Sequence, residues 1–242
     1  MRIGVGPFAD PAEFERSGAR MAHEISQLCT LARNAHVLEL GCGCGRLARA
    51  FAGHLSPEGA YEGCDVDAAA IAWCKQNLAP HLPNFHFTAV DVRAGSHNPL
   101  GSTTAEQFRF PYPETKFDLV IAASLFTHML PDGIANYVSE VRRVLKPEGR
   151  LFMSVFLFDE DAQTAVRNGT TIFNFANPIG PCLTFDAERP EEGIACQEEW
   201  LIGLLNAHDF SIEHVQRGNW RTVNSYAISQ DYVIASCSRG HD

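Results

Sequence analysis

Apolar side chains fall into short runs bounded by polar and glycine-rich stretches, and the spacing inside each run separates strands from helices. Val37 to Leu40, Tyr61 to Asp65, Phe85 to Val90, Phe117 to Ala123 and Leu151 to Phe158 read as strands. A helix-like segment follows the first of these. Another follows the fourth and closes with Val141 to Arg150. From Pro11 to Ala32, apolar residues at Phe14, Met21, Ile25, Leu28 and Leu31 keep near-helical spacing, with Asp10 as the cap and Pro11 in the first turn. Near the end, a helix over Glu198–Ala207 precedes strands at Phe210–Val215 and Asp231–Ala235. Strands alternating with helices predict an α/β fold.

The junction after the first strand is Gly41-Cys42-Gly43-Cys44-Gly45, followed by Arg46 and Leu47. Glycines here can take positive φ and carry no Cβ, so backbone can pass close to a ligand while the next helix turns N–H groups toward it. Taken alone, such a loop also serves as a tight turn that binds nothing. The second strand ends in Asp65, about twenty residues after the last glycine, the spacing at which a carboxylate reaches ribose hydroxyls. Asp67 competes for that role, although its position also suits a helix cap. The third strand ends in Asp91, placed to face an adenine edge.

In this order, Glu39-Leu40-Gly41-Cys42-Gly43-Cys44-Gly45, Asp65, Asp91, Phe117-Asp118-Leu119-Val120 and Val144-Leu145-Lys146-Pro147-Glu148-Gly149-Arg150 resemble the class I S-adenosylmethionine-dependent methyltransferases. The resemblance covers residues 33 to 158 well and the tail loosely. A nicotinamide-binding loop more often has G-x-G-x-x-G, whereas here no further glycine follows Arg46 and Leu47. The family often has Pro-Gly-Gly where this chain has Pro147-Glu148-Gly149.

The resemblance implies a Rossmann-like, seven-stranded, mostly parallel sheet with an antiparallel last strand and helices on both faces. It implies S-adenosyl-L-methionine as cofactor. Glu39 and the backbone of Gly41, Cys42 and Gly43 would face its methionine part, Asp65 the ribose, Asp91 and Val92 the adenine, and Ser124 and Leu125 the region beside the sulfonium, with Gly45 and Val66 also among the cofactor-binding residues. Two other readings of the same residues are a non-catalytic S-adenosylmethionine- or nucleotide-binding protein and a nicotinamide-dependent oxidoreductase.

With 242 residues, 45% of them hydrophobic, the chain suits one α/β domain spanning 1–242. A formal net charge of −10 argues against a broad grip on nucleic-acid phosphates. Arg142, Arg143 and Lys146 form one tight basic group, at a helix end where cations complement the dipole. The first residues lack the apolar core of a signal peptide and no run approaches the ~20 apolar residues of a membrane span. A cytoplasmic protein is expected. Its eight cysteines are scattered and lack paired C-x₂-C spacings, so reduced thiols are expected and no metal.

Residues 1–32 read as a helical cover or lid, with Gly4, Gly6 and Phe8 as its leader. About two dozen turn-rich residues separate Asp91 from Phe117, long for an ordinary connection. A second such region, 159–198, alternates Asn-Gly, Asn-Pro and Gly-Pro pairs with Phe173, Phe175 and Phe185. In the resembled family an insertion after the fifth strand commonly builds the acceptor pocket. Trp220, between the last two strands, either walls that pocket or packs in the core. A small-molecule acceptor is expected, with a hydroxyl as the methylated group. A hydroxyl must lose a proton, and His128, just past the fourth strand, is the candidate base. Asp132, His208 and His214 are weaker candidates, and Asp118 starts its strand at the end away from the chemistry.

Overall fold

The computed structural model describes residues 10–222 and 229–237. The leader residues Gly4, Gly6 and Phe8 lie outside that range. Seven strands form the main sheet: β1 (His36–Leu40), β2 (Ala60–Asp65), β3 (Phe85–Ala89), β4 (Phe117–Ala122), β5 (Leu145–Phe158), β9 (Phe210–Gln216) and β10 (Asp231–Cys237). Their order is β3-β2-β1-β4-β5-β10-β9, with β10 antiparallel to both neighbours and the other pairings parallel. The sheet is therefore the expected mostly parallel α/β sheet with an antiparallel last strand.

Alternation builds two apolar layers, because successive side chains on a strand point to opposite faces. On β4, Leu119 and Ile121 join one cluster while Val120 and Ala122 join the other. The first layer is covered by α1 (Pro11–Leu28), α2 (Arg46–Phe51) and α3 (Ala68–Asn77), through residues such as Ile25, Phe51 and Ile71. The second is covered by α4 (Pro131–Val144) and α6 (Glu198–Ala207), through Ile134, Val138, Val141, Leu201 and Leu205. Asp10 caps α1 by accepting from the Ala12 N–H at 2.9 Å. Gly18 lets α1 approach α2 closely, since a Cβ there would come 2.6 Å from the Arg46 carbonyl oxygen.

Two features differ from the sequence reading. The helix before the fifth strand ends at Val144, six residues short of the expected close at Arg150, and β5 begins at Leu145. Pro147 disfavours helical backbone at Lys146, and Glu148 turns left-handed with φ 64°, which ends the helix early. Beyond the expected seven strands, the segment 159–198 contributes α5 (Glu160–Arg167), β6 (Asn177–Ile179), β7 (Cys182–Thr184) and β8 (Ile194–Gln197). The last of these pairs in parallel with the end of β5, so ten strands form one continuous sheet. Strands of three or four residues are too short to leave a period-2 signature.

Trp220 is fully buried against Phe156 and Phe175, and its Nε1 donates to Asp231 at 2.8 Å. It belongs to the core between the tail and the inserted segment. Asp118 accepts from the His36 N–H and from Lys146 Nζ, both at 2.8 Å, at the start of β4 and away from the carboxyl ends of the strands. Among the described residues no helix is long and apolar enough to cross a membrane.

Candidate active site

The glycine loop is held by the end of β2. Gly41 and Cys42 donate their N–H groups to the Cys64 carbonyl at 2.8 and 3.1 Å, and Gly43 donates to Asp65 Oδ2 at 2.7 Å. Gly41 and Gly43 are left-handed, with φ of 76° and 52°, and a Cβ built on Gly43 would meet nothing within 4 Å. The turn thus leaves open space above its backbone. Asp65 Oδ1 accepts from the Asp67 N–H at 2.8 Å. Asp67 itself caps α3, accepting from the N–H groups of Ala69 and Ala70 at 2.9 and 3.0 Å.

Two compartments lie over the carboxyl ends of the strands. The first is lined by Asp65, Val66, Val92, Leu125, Phe108 and Glu191, among others. The second, larger and more open, is lined by Glu39, Cys42, Gly43 and Arg46 together with Phe14, Met21, Phe156, Phe173 and Gln230. They share Gly41, Ala123, Ser124 and His128. Of the expected cofactor-binding residues, Gly45 and Asp91 line neither, and the weaker base candidates Asp132, His208 and His214 also line neither. Gly45 is buried with φ 79°, its absent Cβ leaving room for Leu78 and Cys74.

Asp91 sits at the edge of the long loop. Its carboxylate accepts from the Ser102 hydroxyl at 2.6 Å, the Ser102 N–H at 3.3 Å and the Asn98 amide at 3.3 Å. The Ser102 hydroxyl, then the Asn98 amide, holds its carboxyl below the ordinary range. Its neighbour Val92 does line the first compartment.

Glu39 is buried, 3% exposed, and accepts a hydrogen bond from the Tyr61 hydroxyl. Burial pushes its carboxyl up to about 8, with Asp65 adding to the shift and Arg46 opposing it. Such a group favours a cationic partner, which would compensate its charge. Ser124 turns left-handed with φ 56°. Its N–H donates to Ser154 Oγ at 2.7 Å, and both serine hydroxyls donate to Gln230 Oε1, at 3.0 and 2.6 Å. This junction, unsignalled in the sequence, ties the end of β4 to β5 and to the residue before β10.

His128 ends the 3₁₀ turn Phe126–His128. Its Nδ1 lies 2.9 Å from the Glu191 carbonyl oxygen. A carbonyl only accepts, so Nδ1 carries the hydrogen, and in the neutral ring Nε2 is left with the basic lone pair. The His97 ring packs beside it at 5.6 Å. Sequence reasoning missed Glu191, His97 and Gln230, because each reaches the site from a connection with no motif of its own.

The seven-stranded order, with ligand-sized space at the carboxyl ends of β1, β2 and β4, defines a class I S-adenosylmethionine-dependent methyltransferase fold. A family model described as a methyltransferase domain matches residues 37–149. An O-methyltransferase of Penicillium expansum is 24% identical over 163 residues, 65% of this chain and 52% of the relative. A ubiquinone/menaquinone biosynthesis C-methyltransferase of Cupriavidus metallidurans is 27% identical over 139 residues, 55% of this chain and 50% of the relative. The chain thus spans about half the length of the curated relatives it matches. Among solved structures, a 1,6-didemethyltoxoflavin N1-methyltransferase of Burkholderia thailandensis, with S-adenosylhomocysteine bound, superposes with a TM-score of 0.60 at 19% identity. That match covers 96% of this chain and 92% of the other.

Proposed function

We propose that this chain transfers the methyl group of S-adenosylmethionine to a small-molecule acceptor, with a hydroxyl oxygen as the methylated atom. The observation that carries the reading is the meeting of two compartments at Gly41, Ser124 and His128. The cofactor has a nucleoside arm and an amino-acid arm joined at the reacting sulfur, and the residues present suit both. Asp65 would accept the ribose hydroxyls, in a compartment whose Val66, Val92 and Leu125 suit a purine. Glu39, buried and lacking a cation of its own in hydrogen-bond contact among the described residues, would receive the ammonium group beside Gly41, Cys42 and Gly43. Bound there, the cofactor supplies a sulfonium-activated methyl group.

The chain's own residues then place the acceptor, exclude water and remove a proton. Phe156 and Phe173, with Phe14 and Met21 of α1, give the second compartment apolar walls suited to a small organic molecule. In this reading residues 159–198 shape the acceptor pocket and α1, within the 1–32 segment, covers it, all as one domain. Holding the acceptor in line with the breaking C–S bond supplies much of the rate. His128 Nε2 would take the hydroxyl proton as the new bond forms. The acidic chain favours a small acceptor over a nucleic acid. The atom methylated in the named relatives varies between oxygen, carbon and nitrogen, so the hydroxyl rests on His128.

Calorimetric titration with S-adenosylmethionine, S-adenosylhomocysteine and NAD tests the first half. Saturable binding of the first two alone is expected, and a preference for NAD or no binding would overturn the reading. For the second half, His128→Ala should keep near-normal S-adenosylhomocysteine affinity and lose about 10²-fold in rate with a hydroxyl acceptor. An unchanged rate would remove His128 from the base role.

A further inference from the structure

Two carboxylates line the first compartment, Asp65 and Glu191, and the proposed function gives a task to one of them. Glu191 arrives from the inserted segment, in the 3₁₀ turn Pro190–Glu192. Its Oε2 accepts from the Gly95 N–H at 3.1 Å, just past Val92. Gly95 makes room for this approach: a Cβ there would stand 3.2 Å from Glu191 Cβ and 3.3 Å from Oε2. Among the described residues, Oε1 takes no hydrogen bond. Burial raises the Glu191 carboxyl above its ordinary value, with Glu106 adding and the Gly95 N–H, His128 and His97 opposing.

The acid expected at the base edge, Asp91, is exposed and already accepts three hydrogen bonds from its own loop. It lines neither compartment. A purine with an exocyclic amine presents a donor, and an ionised carboxylate can only accept.

We propose that Glu191, and not Asp91, reads the amino edge of the cofactor's adenine, so that nucleobase recognition is supplied by the inserted segment across from the Asp65 ribose site. The inference rests on the proposed function and adds to it a specificity-determining residue. It also gives one turn two contacts, since the Glu191 carbonyl holds His128 while its side chain faces the nucleoside compartment.

The test compares S-adenosylhomocysteine with its purine analogue lacking the 6-amino group, by calorimetric titration of the full chain. Wild type should prefer the amino form by about tenfold or more, the size of one hydrogen bond to a charged acceptor. Glu191→Ala and Glu191→Gln should each bring the preference within about twofold, while Asp91→Asn should leave it intact. Because the readout is a ratio within one variant, general loosening of the segment cancels. Gln keeps an oxygen for the Gly95 N–H, so it serves if the Ala variant folds poorly. Retention of the preference in both Glu191 variants, its loss in Asp91→Asn, or its absence in wild type would overturn the proposal. Failure of wild type to bind either ligand would instead take down the cofactor reading beneath it.

Discussion

Glu39 couples the protein's stability to pH through a single buried carboxyl. Its pKa is pushed from an ordinary 4.5 to about 8. Below about 4.5 the folded and unfolded chains both hold the proton. Between 4.5 and 8 the folded chain keeps a proton that the unfolded chain has released, so this group's contribution to stability falls as pH rises through that window and levels off above it. The ligand-free protein should therefore lose melting temperature from pH 5 to pH 8, with a smaller decline in Glu39→Gln. An identical slope in the variant would deny the linkage. The motif marked Glu39 in the sequence, but its raised pKa follows from burial, with Asp65 adding to it, which no local pattern announces. Asp91 illustrates the opposite case. Its position at the end of the third strand was legible, yet Ser102 and Asn98, from the irregular loop, decide where its carboxylate points.

At the scale of elements, one buried acid at the start of β10 ties the tail to the end of β5, beyond the strand ladder that the two share. Asp231 is fully buried and accepts from the N–H groups of Leu157 and Gly218, from Trp220 Nε1, and from Arg221 at 2.7 Å. Arg221 also donates to the Leu157 carbonyl at 2.7 Å, so the end of β5 and the stretch before β10 close on one charge pair. Removing the acid leaves three donors without their partner and a half-buried guanidinium whose nearest remaining carboxylate, Asp159, lies 3.4 Å away. Asp231→Ala should cost about 3–5 kcal/mol in urea unfolding, in line with other broken buried pairs. A loss below 1 kcal/mol would show that the pair contributes little. Strands β1 to β5 were legible because each is a run of apolar residues bounded by turn formers. The short strands β6, β7 and β8 were not, since runs of three or four residues carry no period of their own, and β8 alone of the three pairs with the end of β5.

Over the whole molecule, the sheet order could be expected because an ordered series of motifs marked successive strand ends. What closes the site could not, because Glu191 and Gln230 come from connections that meet only once the chain is folded. On the proposed function, the same geometry predicts a sequence of events. The turn that walls the first compartment, the nucleoside site of the proposed function, also holds His128 by its backbone carbonyl. Filling that compartment should settle the histidine before the acceptor enters, and the spent nucleoside product should depart last. Steady-state product inhibition reads this directly: S-adenosylhomocysteine should compete with S-adenosylmethionine and be noncompetitive toward the acceptor, whereas competition with both would indicate random entry. A contact 2.9 Å long would then appear in solution as a queue, with the cofactor admitted first and its remnant controlling when the next turnover begins.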